Sequence, residues 1–469
     1  MNLLASRLIR SAARHPGAVA LVAVHHTYIC RELLERVAAL AGYLQSRGVR
    51  TGEVLALQSD STEVVALSAY VASWLGCALF PLNPALASER RATLIRLAGA
   101  REDASALLLE AISCVADGNS EPEPWTKSVI ELFIATSGTQ GEPKAVMLSG
   151  ANLEAGALAS NRSLPLSAGD AWLACLPLYH IGGMAILYRC AEAGASAVLH
   201  ESFDPQRVWQ DLAAYRISHI SLVPAMLARL LDTCGDSPPP PSLKYALIGG
   251  GPLSAALAAR ARAAGWPLCA TYGMSETGSQ VATLCGLTGD WIPGQVGAPL
   301  PGFDVEIVAE DGQLTSGIGR IRIRGGAVMA GYANPQHRPG QGLDSGWFVS
   351  GDFGCLDEQG RLNVLGRHDD MLVSGGVNVH PQAVEAVLER CPGVAAAALS
   401  AMADEVWGDF LVALVVGEAD SEMLGKWCRD ELPSAMRPRR FVHVQALPRN
   451  AMGKLDRMAL RSLLQDKLA

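Results

Sequence analysis

The stretch Phe133-Ile134-Ala135-Thr136-Ser137-Gly138-Thr139-Gln140-Gly141-Glu142-Pro143-Lys144-Ala145-Val146-Met147 collects the residue types that grip phosphate. An apolar run suited to a buried strand breaks into hydroxyls and glycines, then a proline and a lysine. Glycines let backbone N–H groups approach an anion, while hydroxyls and a lysine add donors and countercharge. The spacing is not the G-x-x-x-x-G-K-[ST] of nucleotide-triphosphatase loops, because Pro143 stands where the second glycine belongs. Taken alone, the loop also reads as an ordinary Ser/Gly/Thr turn.

Other strings carry chemistry downstream. Thr271-Tyr272-Gly273-Met274-Ser275-Glu276-Thr277 places a carboxylate in a turn, and a carboxylate beside a triphosphate requires a cation between them. In Ala246-Leu247-Ile248-Gly249-Gly250-Gly251-Pro252 a strand meets glycines, which let a flat ring lie against bare backbone. His180 ends the string Pro177-Leu178-Tyr179-His180, and Lys454 lies in Pro448-Arg449-Asn450-Ala451-Met452-Gly453-Lys454-Leu455-Asp456-Arg457. A lone histidine is more often a satisfied structural residue, and an exposed lysine is normally a solvated charge.

Together and in this order, the strings resemble the adenylate-forming superfamily of acyl- and aryl-CoA ligases, peptide-synthetase adenylation domains and luciferases. The resemblance runs from about His15 to Arg457. It implies that Thr136, Ser137, Gly138, Thr139, Gly141 and Lys144 hold the β- and γ-phosphates of ATP. Gly249, Gly250 and Gly251 would cradle adenine, with Tyr272 stacked on it beside Gly273 and Ser275. Glu276, with Thr136, would hold Mg²⁺. Asp352, in Gly346-Trp347-Phe348-Val349-Ser350-Gly351-Asp352, would take the ribose hydroxyls, a fitting use of a two-acceptor carboxylate against a diol, with Arg367 nearby. His180 would lie between acid and ATP, Lys454 would be the catalytic lysine, and Asp369 the hinge between a large and a small domain. Gly375 and Gly376 would face a pantetheine channel for coenzyme A. The chain departs from the common pattern at Gln140, Ala145, Ser275 and Val377, where the family has Thr, Gly, Thr and Glu. Ser275 keeps the hydroxyl, and Val377 removes a polar contact expected in the thioester-forming state.

The elements that must position these residues follow from pattern. Val19–Val24, Val54–Leu57 and Cys77–Leu82 read as strands, alternating with helices over 32–47 and 63–75; this marks a layered α/β domain with a mostly parallel sheet. Pro224 suits the first turn of a helix after the strand 218–223, because its missing N–H costs nothing there. Residues 116–127 read as a short polar connector, and Val296–Arg324 turns to Gly, Val, Ile and alternating charges, which predicts a β-rich subdomain. The expected architecture is a large N-terminal domain over 1–368 and a small mobile α+β domain over 369–469.

At 469 residues the chain is too long for one core. A net charge of −8 argues against a nucleic acid or an anionic membrane as the main partner, and no apolar stretch reaches the length of a membrane span. The 11 cysteines lie singly and read as small buried apolar residues of a reducing cytoplasm. Arg7, Arg10 and Arg14 with no acid before Glu32 imitate a transit peptide, but Leu3, Leu4, Leu8 and Ile9 share one helical face and fit a first helix of the domain.

A carboxylate is a poor electrophile at neutral pH, so joining it to AMP creates the leaving group that thiol attack needs. Within the superfamily, the compact length, the string Trp172-Leu173-Ala174-Cys175-Leu176-Pro177-Leu178-Tyr179-His180 and Tyr188-Arg189 look like the o-succinylbenzoate:CoA ligases of menaquinone synthesis. Arg189 would suit a second substrate carboxylate, or be a surface arginine on a helix. Pro224, Ala225, Gly249 to Gly251 and Gly278 leave room for a flat ring. Three readings stay open: a CoA ligase for an aryl or aryl-keto acid, with o-succinylbenzoate the leading candidate, an enzyme loading an aryl or amino acid onto a carrier-protein pantetheine, and a non-catalytic nucleotide-binding homologue. A homodimer is compatible with a chain of this size.

Overall fold

The computed structural model describes residues 2–468 apart from 103, 114–119, 124–125, 127–128, 138–142, 236, 310, 335, 375, 405–407 and 450–454. Two sheets organise the large domain. The first has eight strands, in the order Ser279–Cys285, Leu268–Met274, Tyr245–Ile248, His219–Leu222, Ala171–Ala174, Ser196–Leu199, Val19–Val22 and Thr27–Ile29. Its interior pairs are parallel and its two edge pairs antiparallel. The second sheet runs Gly331–Tyr332, Pro143–Ser149, Ile130–Ser137, Ala78–Leu82, Val54–Gln58.

Helix Thr62–Trp74 is apolar almost all round, and residues Val65 to Trp74 are all buried, as expected for a helix covered on every side. A single apolar core takes in Leu55, Leu79 and Leu132 from the second sheet and Trp172, Ala174 and Leu199 from the first. The first helix, Leu3–Arg14, belongs to this core through Leu3, Leu4 and Leu8. Its free N-terminal N–H groups at Leu3 and Leu4 donate to the buried Glu131 carboxylate, which satisfies donors a helix end otherwise leaves open. Burial pushes the Glu131 carboxyl up to about 7. Arg7 pairs with Glu154 and Glu192, so the N-terminal arginines serve the fold.

The β-rich region is a separate antiparallel sheet in the order Gln295–Gly297, Leu362–Arg367, Phe348–Leu356, Gly319–Gly325, Phe303–Val308. The small C-terminal domain has its own sheet, built on the long hairpin Val394–Asp404 and Gly408–Gly417, and its own core of Val384, Leu388, Leu399, Leu411, Val415 and Leu424. Helix Pro381–Leu388 starts on the proline and buries Val384 and Leu388, while Val387, expected on the same stripe, is only partly buried against that core. The connector at 116–127 lies for the most part outside the described residues.

One expectation is corrected. Cys269 and Cys285 are not isolated thiols: the antiparallel register sets them opposite each other on neighbouring strands, and they form a disulfide. Nothing in a separation of 16 residues signals this, because strand register decides it. The other described cysteines are free, and all but Cys355 are buried. Among the described residues no helix is long and apolar enough to cross a membrane.

Candidate active site

The chemistry-bearing strings converge because of where their strands end. His180 follows the strand Ala171–Ala174, Pro224 follows His219–Leu222, Gly249 follows Tyr245–Ile248, and Tyr272 closes Leu268–Met274. These strands are neighbours and parallel, so their carboxyl ends open on one edge, where ligands of open α/β sheets bind. Glycine is required at two of these joints. A Cβ on Gly183 would lie 2.5 Å from the Pro177 carbonyl oxygen, so only glycine lets helix Ile181–Ala193 tuck under the segment carrying His180. A Cβ on Gly273 would lie 1.6 Å from the Ser279 carbonyl oxygen, which rules out any side chain there.

The string from Phe133 to Met147 contributes two neighbouring strands. Strands Ile130–Ser137 and Pro143–Ser149 pair in antiparallel register, with Thr136 opposite Lys144 and Ser137 opposite Pro143. Gly138, Thr139 and Gly141 lie outside the described residues. Cross-strand partners project to the same face, so the Thr136 hydroxyl and the Lys144 ammonium flank the hairpin's end together. Lys144 lies with its ammonium 5.0 Å from the ring centre of Tyr332. The Tyr332 hydroxyl donates to Glu276 Oε1 at 2.8 Å, which connects the hairpin to the turn Ser275–Thr277. No cation among the described residues neutralises Glu276. A carboxylate held at one oxygen, next to a hydroxyl and a phosphate hairpin, fits the donor set of a magnesium ion.

The Tyr272 hydroxyl donates to Asp352 Oδ2 at 2.7 Å, and burial with this carboxylate holds the phenol well above its ordinary range. Asp352 and Arg367 are cross-strand partners, 3.6 Å apart at their charged atoms. Arg367 also comes within 3.5 Å of Asp369, in the short 3₁₀ turn His368–Asp370.

The surroundings of Arg189, on helix Ile181–Ala193, are built differently. Arg189 is 2% exposed, so it is not a surface residue. Its guanidinium lies 5.2 Å from the Trp172 ring centre and donates to Ser279 Oγ at 2.9 Å, while its buried Nε has no acceptor. Burial pulls its pKa down to about 10, which leaves it charged at neutral pH. His219 stacks on the same tryptophan at 4.8 Å; burial drives it down to about 4, so it stacks uncharged. Ser279 holds φ at +117°, a strained conformation for a residue with a side chain, directly after Gly278 at +62°.

In the small domain, Gly376 turns the hairpin between Leu372–Ser374 and Val377–Val379 with φ +77°, and Val377 is exposed; Gly375 lies outside the described residues. So does Lys454, but the ends of its loop are tied. Arg449 bridges Leu455, and Asp456 N–H donates to the Pro448 carbonyl at 2.9 Å. Arg457 then anchors the following helix by pairing with both oxygens of Glu385 and with the Leu399 carbonyl.

Residues 8–333 match the family described as AMP-binding enzyme, and residues 383–454 match its C-terminal domain. The chain belongs to this family. It is 32% identical to a 2-succinylbenzoate--CoA ligase of Bacillus cereus (strain Q1), over 99% of this chain and 100% of that protein. Its fold matches the o-succinylbenzoate coenzyme A synthetase (MenE) of Bacillus subtilis in complex with AMP at TM-score 0.86 and 29% identity, over 98% of both chains. The same Bacillus subtilis protein in complex with the acyl-adenylate intermediate OSB-AMP gives TM-score 0.85 and 29% identity, over 99% of this chain and 98% of that one.

Two residues of this AMP-binding enzyme escaped sequence reasoning. Tyr332 sits in Ala330-Gly331-Tyr332-Ala333, where no spacing ties it to Lys144 or Glu276. Ser279 follows the turn motif, but its partner Arg189 is 90 residues away, and only burial reveals the pair.

Proposed function

We propose that this AMP-binding enzyme is an ATP-dependent carboxylate:CoA ligase acting through an acyl-adenylate, with o-succinylbenzoate as its acid. One observation carries the choice of acid. Arg189 is a buried arginine with an unaccepted Nε and no carboxylate partner among the described residues. Keeping an unpaired charge out of water costs several kcal/mol, and a second carboxylate on the substrate would supply the missing partner in the forked geometry arginine favours.

The first step is attack of the reacting carboxylate on the α-phosphorus, with departure of pyrophosphate. Thr136, Ser137, Gly138, Thr139, Gly141 and Lys144 would hold the β- and γ-phosphates, Asp352 and Arg367 the ribose, and Tyr272 with Gly249 to Gly251 the adenine. Glu276 and Thr136 would hold the magnesium ion, whose charge stabilises the leaving pyrophosphate. Lys454 would neutralise the anionic centre where carboxylate and α-phosphate meet, and His180 would order the acid beside it.

We set the domain boundary at Asp369. This residue lies half exposed in a short turn between the last strand of the β-rich sheet and the first strand of the small domain. Rotation there would withdraw Lys454 and bring the Gly375–Gly376 hairpin forward for thiol attack, which forms the thioester and releases AMP. ATP and CoA as substrates support a cytoplasmic enzyme.

The deciding experiment is pyrophosphate release with ATP and Mg²⁺ over a panel of carboxylic acids, o-succinylbenzoate and plain benzoates included, with and without CoA. Release with o-succinylbenzoate that CoA accelerates is the expected result. Acid-dependent release indifferent to CoA would move the acceptor to a carrier-protein pantetheine, and silence across the panel would sink the ligase reading.

A further inference from the structure

The segment that reaches Glu276 does so twice. Met329 N–H donates to the Glu276 carbonyl at 2.8 Å, and the Tyr332 hydroxyl donates to its carboxylate, also at 2.8 Å. Backbone and side chain of one acid are thus held by one short stretch. That stretch is itself fixed: Gly331 and Tyr332 pair with Met147 and Val146 at the edge of the phosphate hairpin, and Asn152 donates to the Gly326 and Val328 carbonyls. Tyr332 stands opposite Val146, and Lys144 lies two residues before Val146 on the same face, which is why the ring meets the ammonium. From the far side Gly342 closes on the ring, where a Cβ would come within 2.5 Å of Tyr332 Cδ2.

From this geometry we propose that Tyr332 is a positioning residue for the metal carboxylate. Its hydroxyl fixes one oxygen of Glu276 and would leave the other to hold a magnesium ion, and its ring holds Lys144 at the hairpin. The inference rests on the reading of Glu276 as a metal ligand. A bland filler would need only the ring; the hydroxyl on an acid held at both ends is what a filler does not require. Partners that orient a ligating carboxylate typically change metal affinity by one to two orders of magnitude when removed.

The test is calorimetric titration of ATP into the full chain at a series of Mg²⁺ concentrations, for wild type, Tyr332→Phe, Glu276→Gln and the double variant. Tyr332→Phe should raise the Mg²⁺ concentration needed for tight ATP binding about tenfold, while metal-free ATP binding stays within about twofold. The double variant should lose no more Mg²⁺ dependence than Glu276→Gln alone, since the hydroxyl acts through that carboxylate. A Phe variant with wild-type Mg²⁺ dependence, beside a Glu276→Gln variant that loses it, would overturn the role of Tyr332 and leave Glu276 standing. Equal weakening of metal-free and metal-bound ATP would reduce Tyr332 to packing. An unaffected Glu276→Gln variant would remove the metal reading itself. Should the Phe variant not fold, Tyr332→His, which keeps a ring with an N–H donor, is compared with Tyr332→Leu: rescue of the Mg²⁺ dependence by His supports the proposal, and no rescue overturns it.

Discussion

The nucleotide half and the acid half proposed for this site are built on opposite principles. The nucleotide half is made of backbone shape and shared polar contacts: a hairpin end, glycines that admit no Cβ, and the chains Lys144–Tyr332–Glu276 and Tyr272–Asp352–Arg367, partly open to solvent. The acid half is a single charge sunk into the core, where Arg189 meets Trp172 and Ser279, and His219 stacks on that tryptophan. The first arrangement suits a ligand every family member shares. The second suits discrimination, because a buried charge left unpaired penalises every acid that fails to meet it.

Removing the lysine proposed to act on both halves gives the largest expected effect. Lys454→Ala should lower acid-dependent pyrophosphate exchange by roughly 10³-fold, in line with the loss of a charge that stabilises the transition state. ATP affinity by calorimetry should stay within about twofold, since the lysine comes from the small domain. Exchange near the wild-type rate would refute the mechanism.

The comparison is tested next from the acid side. Arg189→Leu should cut kcat/KM for o-succinylbenzoate about 10²-fold while leaving plain benzoates and the KM for ATP little changed. Arg189→Lys should not restore it, because an ammonium lacks the planar fork. Equal losses for mono- and dicarboxylates would show Arg189 to be structural. From the nucleotide side, Asp352→Asn should raise the KM for ATP about tenfold, the cost of weakening hydrogen bonds to a charged acceptor. It should leave the KM for the acid unchanged, and a parallel rise in both would erase the division into halves.

That division also explains what could be read before the structure was known. Shape-built parts are local in sequence: the hairpin around Thr136 and Lys144, the turn at Gly273, Pro224 at the start of its helix and the strand–helix alternation all follow from neighbouring residues. Burial-built parts are not. Helix Ile181–Ala193 buries nearly every residue from Ile181 to Cys190, so its pattern has no polar face to show whether Arg189 points inward. Tyr332 meets Glu276 across 56 residues, and Cys269 meets Cys285 through strand register, neither of which leaves a mark in composition or spacing.

The smallest predicted effect separates the two principles at one residue. Ser279 serves the acid half through its hydroxyl and the nucleotide half through its backbone, which crosses Gly273 at a φ of +117°. Ser279→Ala removes the hydroxyl and keeps the strain; Ser279→Gly removes both. Each should raise the KM for o-succinylbenzoate about threefold to tenfold, as expected for one hydrogen bond to a charged group. They should part in stability. Glycine adopts this backbone without strain, so in thermal melts Ser279→Gly should exceed Ser279→Ala by about 1 kcal/mol. Matching melts with KM values raised equally would mean that the hydroxyl, and not the backbone, holds this turn. The acid half would then extend into the motif assigned to the nucleotide.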